Sequence, residues 1–355
     1  MTKELSIKII FAVLLLGSCM SSTKVEFIEF PVSKNLNFEE IDITNILAIP
    51  GDVKIAMPGE ITIHNDMIIV WDQETDWFFK IFTFEDFEYL GSLVRKGRGP
   101  DEEIDLAPFI RPHMDNILYQ GTGKIKIARV NNYHDELALE FVQVYELPAE
   151  MFDDYDIFML NGKMYSSNGF RHIERDFQGF CIETGKLFEW GEKLPLSNSQ
   201  ISKLNQLRIP LTKYTTVIPD SKLLATVYDV LPVIRIYEAE NGHLVSERHK
   251  TDPSSNLQIL LDNSADHIQD GLVRYYSRIK STNDYIYALY SGKPVGDLPK
   301  NNVIHVLDWE GNTVMRFDLN ISSITSFDIS PDNRHIVAIS ILETNKIFRA
   351  EIPWD

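Results

Sequence analysis

The stretch ITIHNDMIIVWD, residues 61–72, contains two apolar, β-branched runs separated by the pair Asn65-Asp66. Apolar residues at every second position on both sides of an Asn or Asp pair are typical of a β-hairpin. The stretch therefore predicts two antiparallel strands that meet at Asn65-Asp66.

Five further stretches repeat this pattern, and successive turns are separated by about 45 to 65 residues. Their turns lie around Asn116, Gly162, Ser221, Asp284 and Asn333. In most units a third and a fourth strand follow, as VIRIYEAE and HLVSERH do after the turn at Ser221. Sheets of four antiparallel strands that recur at this period are the blades of a β-propeller. The sequence thus predicts an all-β fold, a six-bladed β-propeller of four-stranded antiparallel blades.

The last unit contains only three strand-like runs, ITSFDIS, HIVAISI and KIFRAEI. The run VEFIEF, residues 25–30, is also strand-like and belongs to no unit. Pairing of this N-terminal strand with the last three would remove an open sheet edge. We therefore expect residues 25–30 to close the ring, and residues 25–355 to form a single propeller domain.

Two polar stretches depart from the strand pattern, LPLSNSQISKLNQLRI (194–209) and SSNLQILLDNSADHIQDG (254–271). Both lack β-branched alternation and are long enough for one or two helical turns. Segments of this length between strands are commonly functional lids or tolerated decorations. They predict two insertions on a face of the propeller.

The N-terminus has the pattern of a signal peptide. MTKELSIK carries two lysines, and IIFAVLLL after it is wholly apolar but too short to span a bilayer, which takes about 20 apolar residues. Leu16-Gly17-Ser18-Cys19 resembles the lipobox of bacterial lipoproteins, in which the cysteine is lipidated after cleavage. We therefore expect a signal peptide at 1–18 and a lipidated tether at 19–24; an ordinary secretory signal is the alternative.

The residues after Cys19 bear on the location of the protein. Met20 stands where an aspartate would favour the inner membrane, so we expect an outer-membrane lipoprotein. Ser21, Ser22, Thr23 and Lys24 follow in place of the acidic residues that usually accompany export to the surface in Bacteroidetes, which favours the periplasmic face. Apart from this lipid anchor, no further membrane contact is predicted.

The composition argues against a disulfide-stabilised protein and against a nucleic-acid-binding protein. With Cys19 lipidated, Cys181 is the only other cysteine, so an intramolecular disulfide cannot form and stability must come from a core. The formal net charge is -18, and no basic stripe is present to neutralise phosphates. We therefore expect no nucleic-acid partner.

The octapeptide KGRGPDEE at 96–103 stands beside the lipobox and repeats such as DNILYQ and NDMIIVWD. In these residues the chain resembles the TolB-like six-bladed β-propeller lipoproteins of Bacteroidetes. The resemblance covers nearly the whole mature chain and implies a fold and a location, but no reaction. Asp101 stands where the family more often has a second glycine, so the geometry of this turn can differ.

The turn within KGRGPDEE is interpreted as structural. Phosphate-binding glycine loops lead into a helix N-terminus, whereas here an acidic run follows the glycines. An interblade connection that requires glycine dihedrals is the better interpretation. Its residues are Gly97, Arg98, Gly99 and Pro100.

No linear catalytic or metal motif is present. The histidines form no HExxH, and no G-x-S-x-G is found. Two acidic clusters are interpreted as solvated loops, although carboxylates from several blades could also hold Ca²⁺. The clusters are Asp101, Glu102, Glu103 and Asp105, and Asp153, Asp154 and Asp156.

A binding site in a propeller is expected at the mouth of the central channel, where residues from distant blades converge. The candidate binding residues are Arg111, His113, Arg171, His172, Tyr275, Tyr276 and Arg278. For each of them an outer-edge or loop position is the alternative.

Two functions remain open. The first is a lipid-anchored, non-enzymatic envelope binding or scaffold protein for a protein, peptide or glycan, without catalytic residues, metal or other cofactor. The second is a Ca²⁺-dependent hydrolase or lactonase-like enzyme with its site in the central channel. A metal held by residues from three or more blades would distinguish them.

Overall fold

The computed structural model describes residues 26–29, 33–36, 38–42, 55–99, 102–107, 109–133, 136–168, 174–193, 196–207, 211–220, 222–262, 271–295, 302–321, 323–344 and 346–354. The predicted signal peptide and tether, with Cys19, lie outside the described residues. So do Pro100, Asp101, Arg171 and His172.

Six small sheets form the blades of a ring, as predicted. Three short strands precede the first blade: β1 (Glu26–Phe27), β2 (Ser33–Asn35) and β3 (Phe38–Asp42). Blade 1 consists of β4 (Pro58–His64), β5 (Met67–Asp72), β6 (Trp77–Thr83) and β7 (Tyr89–Lys96), with β8 (Glu102–Glu103) at its edge. Blade 2 consists of β9 (Ile110–His113), β10 (Asn116–Gly121), β11 (Lys124–Tyr133) and β12 (Glu136–Glu146).

The remaining blades follow in chain order. Blade 3 consists of β13 (Tyr155–Leu160), β14 (Lys163–Asn168), β15 (Arg175–Cys181) and β16 (Lys186–Lys193). Blade 4 consists of β17 (Lys213–Val217), β18 (Leu223–Tyr228), β19 (Val233–Glu238) and β20 (Leu244–His249). Blade 5 consists of β21 (Val273–Ser281), β22 (Tyr285–Pro294), β23 (Val303–Asp308) and β24 (Thr313–Asp318). Blade 6 consists of β25 (Ile324–Ile329), β26 (His335–Ser340), β27 (Lys346–Glu351) and β3.

An N-terminal strand closes the ring, but it is not the predicted one. β3 pairs antiparallel with β27, so that Ile41 lies opposite Ile347. Residues 25–30 instead contribute β1, which adds in parallel to the outer edge of blade 4. The expectation for 25–30 was wrong because the chain passes along the rim, adding β1, β2 and β3 to blades 4, 5 and 6 in turn, and only β3 meets a three-stranded sheet.

The ring has two faces. The upper face is the one at which the first strand of each blade begins; it carries the connections between blades and the loops between second and third strands. The lower face carries hairpin turns between first and second strands, such as Asn65-Asp66. There Asn65 has a φ of 53°, and Asn161 and Gly162 have φ values of 49° and 71°, which Asn and Gly adopt readily.

Both predicted insertions form helices on the upper face: α1 (Asn198–Leu207) in the connection to blade 4 and α2 (Ser254–Asp262) in the connection to blade 5. Leu204 and Leu260 of the two helices share an apolar cluster with Val230 of blade 4. The side-chain amide of Asn256 donates hydrogen bonds to the carbonyls of Val230 and Val273, which fixes α2 on the sheet. No helix in the described part of the chain is both long and apolar enough to cross a membrane.

Neighbouring blades pack face to face through apolar side chains. Between blades 1 and 2, for example, the ring of Phe79 meets that of Tyr119 edge to face, with centroids 5.3 Å apart. Such contacts hold the first strands in place around the central channel.

Candidate functional site

The central channel is lined by the first strands of the blades. Because side chains alternate in direction along a strand, every second position of a first strand faces the channel. Charged residues occupy such positions on five of the six first strands: Glu60, Arg111, Asp156, Arg278 and Lys280, and Asp328.

The Glu60 carboxylate on β4 connects blade 1 with blade 5. Its Oε2 accepts a hydrogen bond from Arg278 Nε at 3.1 Å, and its Oε1 accepts one from Lys280 Nζ at 2.6 Å. Blade 6 separates these two blades in the ring, so the contact is made inside the channel. The guanidinium of Arg278 also lies over the ring of Tyr214, 5.1 Å from its centroid.

Arg111 on β9 makes the corresponding contacts on the other side of the channel. Its guanidinium forms an ion pair with Asp156 of blade 3 and donates a hydrogen bond to the Thr215 carbonyl of blade 4 at 2.6 Å. The Ser167 hydroxyl donates to the same Asp156 carboxylate. Burial lowers the pKa of Arg111 to about 10, and Glu60 acts in the opposite direction. Arg111 therefore keeps its charge at neutral pH.

Asp328 on β25 completes the set. One of its oxygens accepts hydrogen bonds from the Thr62 hydroxyl at 2.9 Å and from the Ile63 amide at 2.8 Å, both in blade 1. Burial raises the pKa of Asp328, and Lys280 acts to lower it. Three carboxylates thus lie in the channel with three cationic groups, and the ion pairs and hydrogen bonds among the first strands close it.

These carboxylates come from three blades, as the Ca²⁺ alternative requires, but they do not fit the ion. Glu60 and Asp156 already have guanidinium or ammonium partners, and Lys280 acts on Asp328. A divalent cation would have to lie beside these positive groups, which Coulomb repulsion opposes. Within the described residues, no group of three or more His, Cys, Asp and Glu side chains is placed to hold a metal.

The seven predicted binding residues are dispersed. Arg111 and Arg278 lie in the channel, and their contact with a ligand remains a prediction. His113 lies half-buried at the lower end of β9, where burial lowers its pKa. Tyr275 and Tyr276 are buried in the core between blades 4 and 5, and the hydroxyl of Tyr276 lies 3.3 Å from His305 Nδ1. The positions of Arg171 and His172 fall outside the described residues.

The glycine turn forms the connection between blades 1 and 2. The Gly97 amide donates to the Glu103 carbonyl, and the Gly99 amide donates to the Glu102 carboxylate at 2.8 Å. A Cβ atom at Gly97 would lie 1.9 Å from that carboxylate. The turn therefore wraps around the Glu102 side chain, while Arg98 is exposed.

The acidic clusters are only partly solvated, so that interpretation was wrong for three residues. Asp105 and Asp153 are exposed, but Glu103, Asp154 and Asp156 are buried. Glu103 pairs with Lys126, and Asp156 pairs with Arg111. Burial raises the pKa of Asp154 to about 7, opposed by a hydrogen bond from Ser166.

A second buried charge network lies between blades 3 and 4 and was missed by sequence reasoning. Asp176 is wholly buried and accepts hydrogen bonds from Arg235 Nη1 at 2.7 Å and from the hydroxyls of Tyr228 and Tyr237. Burial lowers the pKa of the neighbouring Lys213 to about 8, and Asp176 acts to raise it. No spacing in the sequence marks Asp176, which stands between Arg175 and Phe177 at the start of β15.

Comparisons with known proteins agree with this architecture. The family model described as TolB-like 6-blade propeller-like matches residues 37–332. Among curated proteins, none matches the chain in sequence.

Two crystal structures from Bacteroides are similar to the chain. The candidate exported protein BF0058 from Bacteroides fragilis NCTC 9343 is 13% identical, with a TM-score of 0.55 over 91% of this chain and 99% of its own. A member of the DUF4221 family from Bacteroides vulgatus ATCC 8482 is 11% identical, with a TM-score of 0.51 over 92% of this chain and 98% of its own. At these identities the likeness concerns the fold alone. Since the family model spans most of the chain, including all the first strands that line the channel, the chain belongs to the TolB-like 6-blade propeller family.

Proposed function

We propose that the protein is a lipid-anchored envelope protein that binds a partner protein through the upper face of its propeller. The observation that carries the proposal is the closed channel, in which Glu60, Arg278 and Lys280 pair with one another, as do Arg111 and Asp156. Opening the channel to a substrate would leave these buried charges without partners, at a cost of several kcal/mol. A ring with a closed centre is better suited to bind a partner protein on a face than to admit a substrate to its channel.

The anchor is proposed from the lipobox that ends at Cys19, and the outer membrane, on its periplasmic side, from the residues after it. A candidate exported protein among the similar structures supports an envelope location. The direction of strand β1 is also consistent with an N-terminal anchor, because it leaves the upper face free. β1 is parallel to β20, whose C-terminal end lies at the upper face, so the N-terminal end of β1 points away from that face.

The test has two parts. In a lipoprotein-processing bacterial host, radiolabelled palmitate is expected to label the full-length protein and to disappear from the Cys19→Ala variant, with the label in the outer-membrane fraction. The extracted protein, immobilised, is then expected to enrich one partner protein from envelope extracts. Enrichment of a glycan alone, or of nothing in repeated trials, would contradict the proposed function.

A further inference from the structure

Exposed apolar side chains lie mainly on the upper face and on the outermost strands of the blades. Of the thirteen large apolar residues that are exposed in the described part of the chain, six lie in loops or strand ends of the upper face. We name this group the apolar crescent, because it extends over blades 6, 1, 2 and 3: Ile341 and Leu342, Met57, Trp77, Ile104 and Phe152.

The topology accounts for this placement. Ile341 and Leu342 lie between the second and third strands of blade 6, and Trp77 begins the third strand of blade 1. The other three lie where the chain enters blades 1, 2 and 3. Phe152 lies beside the turn between β10 and β11, since a Cβ at Gly123 would contact its ring at 3.7 Å. On blades 4 and 5 the same face is covered by α1 and α2.

Four residues of the apolar crescent each have an acidic residue next to them in the sequence. Asp76 precedes Trp77, Asp105 follows Ile104, Asp153 follows Phe152, and all three carboxylates belong to exposed residues. Glu343 follows Leu342 and is half-buried. The surface thus repeats one unit, an apolar side chain with an adjacent carboxylate, in four separate loops.

Four exposed basic residues lie in this region: Arg95, Lys96 and Arg98 in one segment, and Lys193 at the upper end of blade 3. Arg95 lies 3.8 Å from Glu102, and Lys96 Nζ donates to the Gln73 carbonyl at 3.0 Å. Lys193 Nζ lies 3.6 Å from a carboxylate oxygen of Glu174, so three of these four cations already have partners. The carboxylates of Asp76, Asp105 and Asp153 belong to exposed residues, whereas Glu343 is paired with Lys346.

We propose that the apolar crescent binds a basic segment of a partner protein in which apolar side chains alternate with Lys or Arg. Apolar side chains of the partner would cover Trp77 and Phe152, and its cations would meet Asp76 and Asp153. An anionic bilayer is the less suitable occupant, because these carboxylates would repel it. This inference rests on the proposed function and specifies the chemistry of its partner.

The probe is a fluorescein-labelled 11-residue peptide of alternating Leu and Lys, titrated with the chain of residues 25–355, which retains every described strand. We expect saturable one-to-one binding in fluorescence anisotropy that weakens as salt is raised. The double variant Trp77→Ser/Phe152→Ser is expected to bind at least tenfold more weakly, and Asp76→Asn/Asp153→Asn about threefold more weakly.

The matched control is Met114→Ser/Phe141→Ser, which removes two exposed apolar side chains from the lower face and the rim and should leave the affinity unchanged. Equal urea midpoints would show that all variants fold. Absence of saturable binding, equal binding of a Leu-Glu peptide, or equal loss in the control variant would overturn the inference. So would Trp77-dependent binding to phosphatidylglycerol vesicles. If a partner protein is enriched from the envelope but the peptide does not bind, the proposed function stands and the apolar crescent is rejected as the binding surface for a basic segment.

Discussion

Lys280 of blade 5 donates a hydrogen bond to Glu60 of blade 1 at 2.6 Å, inside the channel and past the whole of blade 6. Blade 6 is the one in which strand β3 joins the last three strands of the chain. Two contacts therefore hold the ring together at blade 6. One is the backbone pairing of β3 with β27 at the rim, and the other is the ion pair of Glu60 with Lys280 in the channel.

Removal of the Glu60 charge should destabilise the protein. Glu60→Gln would leave Arg278 and Lys280 in the channel without their carboxylate, and breaking a buried pair in this way costs about 3 kcal/mol. Urea unfolding monitored by circular dichroism measures the change. Glu146→Gln is the control, because its pair with Lys124 is largely exposed and should change the unfolding free energy by less than about 0.5 kcal/mol. Equal effects in the two variants would contradict the role of the channel pair.

Asp154 should make stability depend on pH. Its pKa is about 7 in the folded protein and near 4 when unfolded, so between these values the native state binds the additional proton. The contribution of this carboxyl is therefore favourable at low pH and is lost as the pH rises toward 7. Asp154→Asn is expected to have nearly wild-type stability at pH 4 and to be more stable by about 2 to 4 kcal/mol at pH 8. A difference that does not change with pH would contradict this assignment.

The closing strand can be tested with a cross-link. Asp42 lies opposite Lys346 in the pairing of β3 with β27, so cysteines at these two positions should form a disulfide under mild oxidation. In a background of Cys181→Ser, peptide mass spectrometry should find the cross-link and urea unfolding should show a raised midpoint. The pair Glu29→Cys/Lys346→Cys serves as the control, since residue 29 lies next to blade 4. Cross-linking of this second pair instead would show that residues 25–30, and not β3, pair with β27 and close the ring.

The glycine turn should show coupling with the carboxylate that it surrounds. Gly97→Ala would force the Glu102 side chain to move and weaken its hydrogen bond with the Gly99 amide, at a cost of about 1 kcal/mol. In the background of Glu102→Ala that conflict is removed, so the same glycine substitution should cost much less. A double-mutant cycle of unfolding free energies measures the coupling. Strictly additive costs would show that Gly97 is required for another reason.

The blades could be predicted from the sequence because each hairpin depends on local signals, as at Asn65-Asp66. The strand that closes the ring could not. FEEID at 38–42 alternates weakly, and its partner lies about 300 residues away, so no local pattern distinguishes it from VEFIEF. Pairing at such a separation is decided by where the chain passes along the rim.

The binding role of the candidate residues remains a prediction. Arg111 and Arg278 lie in the channel, whereas Tyr275 and Tyr276 lie in the core, where the pairing of β21 with β22 shifts register on both sides of Tyr276. A bulge of this kind breaks the two-residue period from which side-chain direction is inferred. Glu60 and Asp328 were missed because single charges within strand-like runs have no spacing that marks them.

The most direct test of the central claim, binding through the upper face, is photo-crosslinking in the intact envelope. Benzoylphenylalanine at position 77 or 152 should form a discrete adduct with a partner protein, whereas the same group at position 114 or 141 should form none. Adducts from positions 114 and 141 alone would place the contact on the lower face or the rim and contradict the account. So would the absence of adducts from every position.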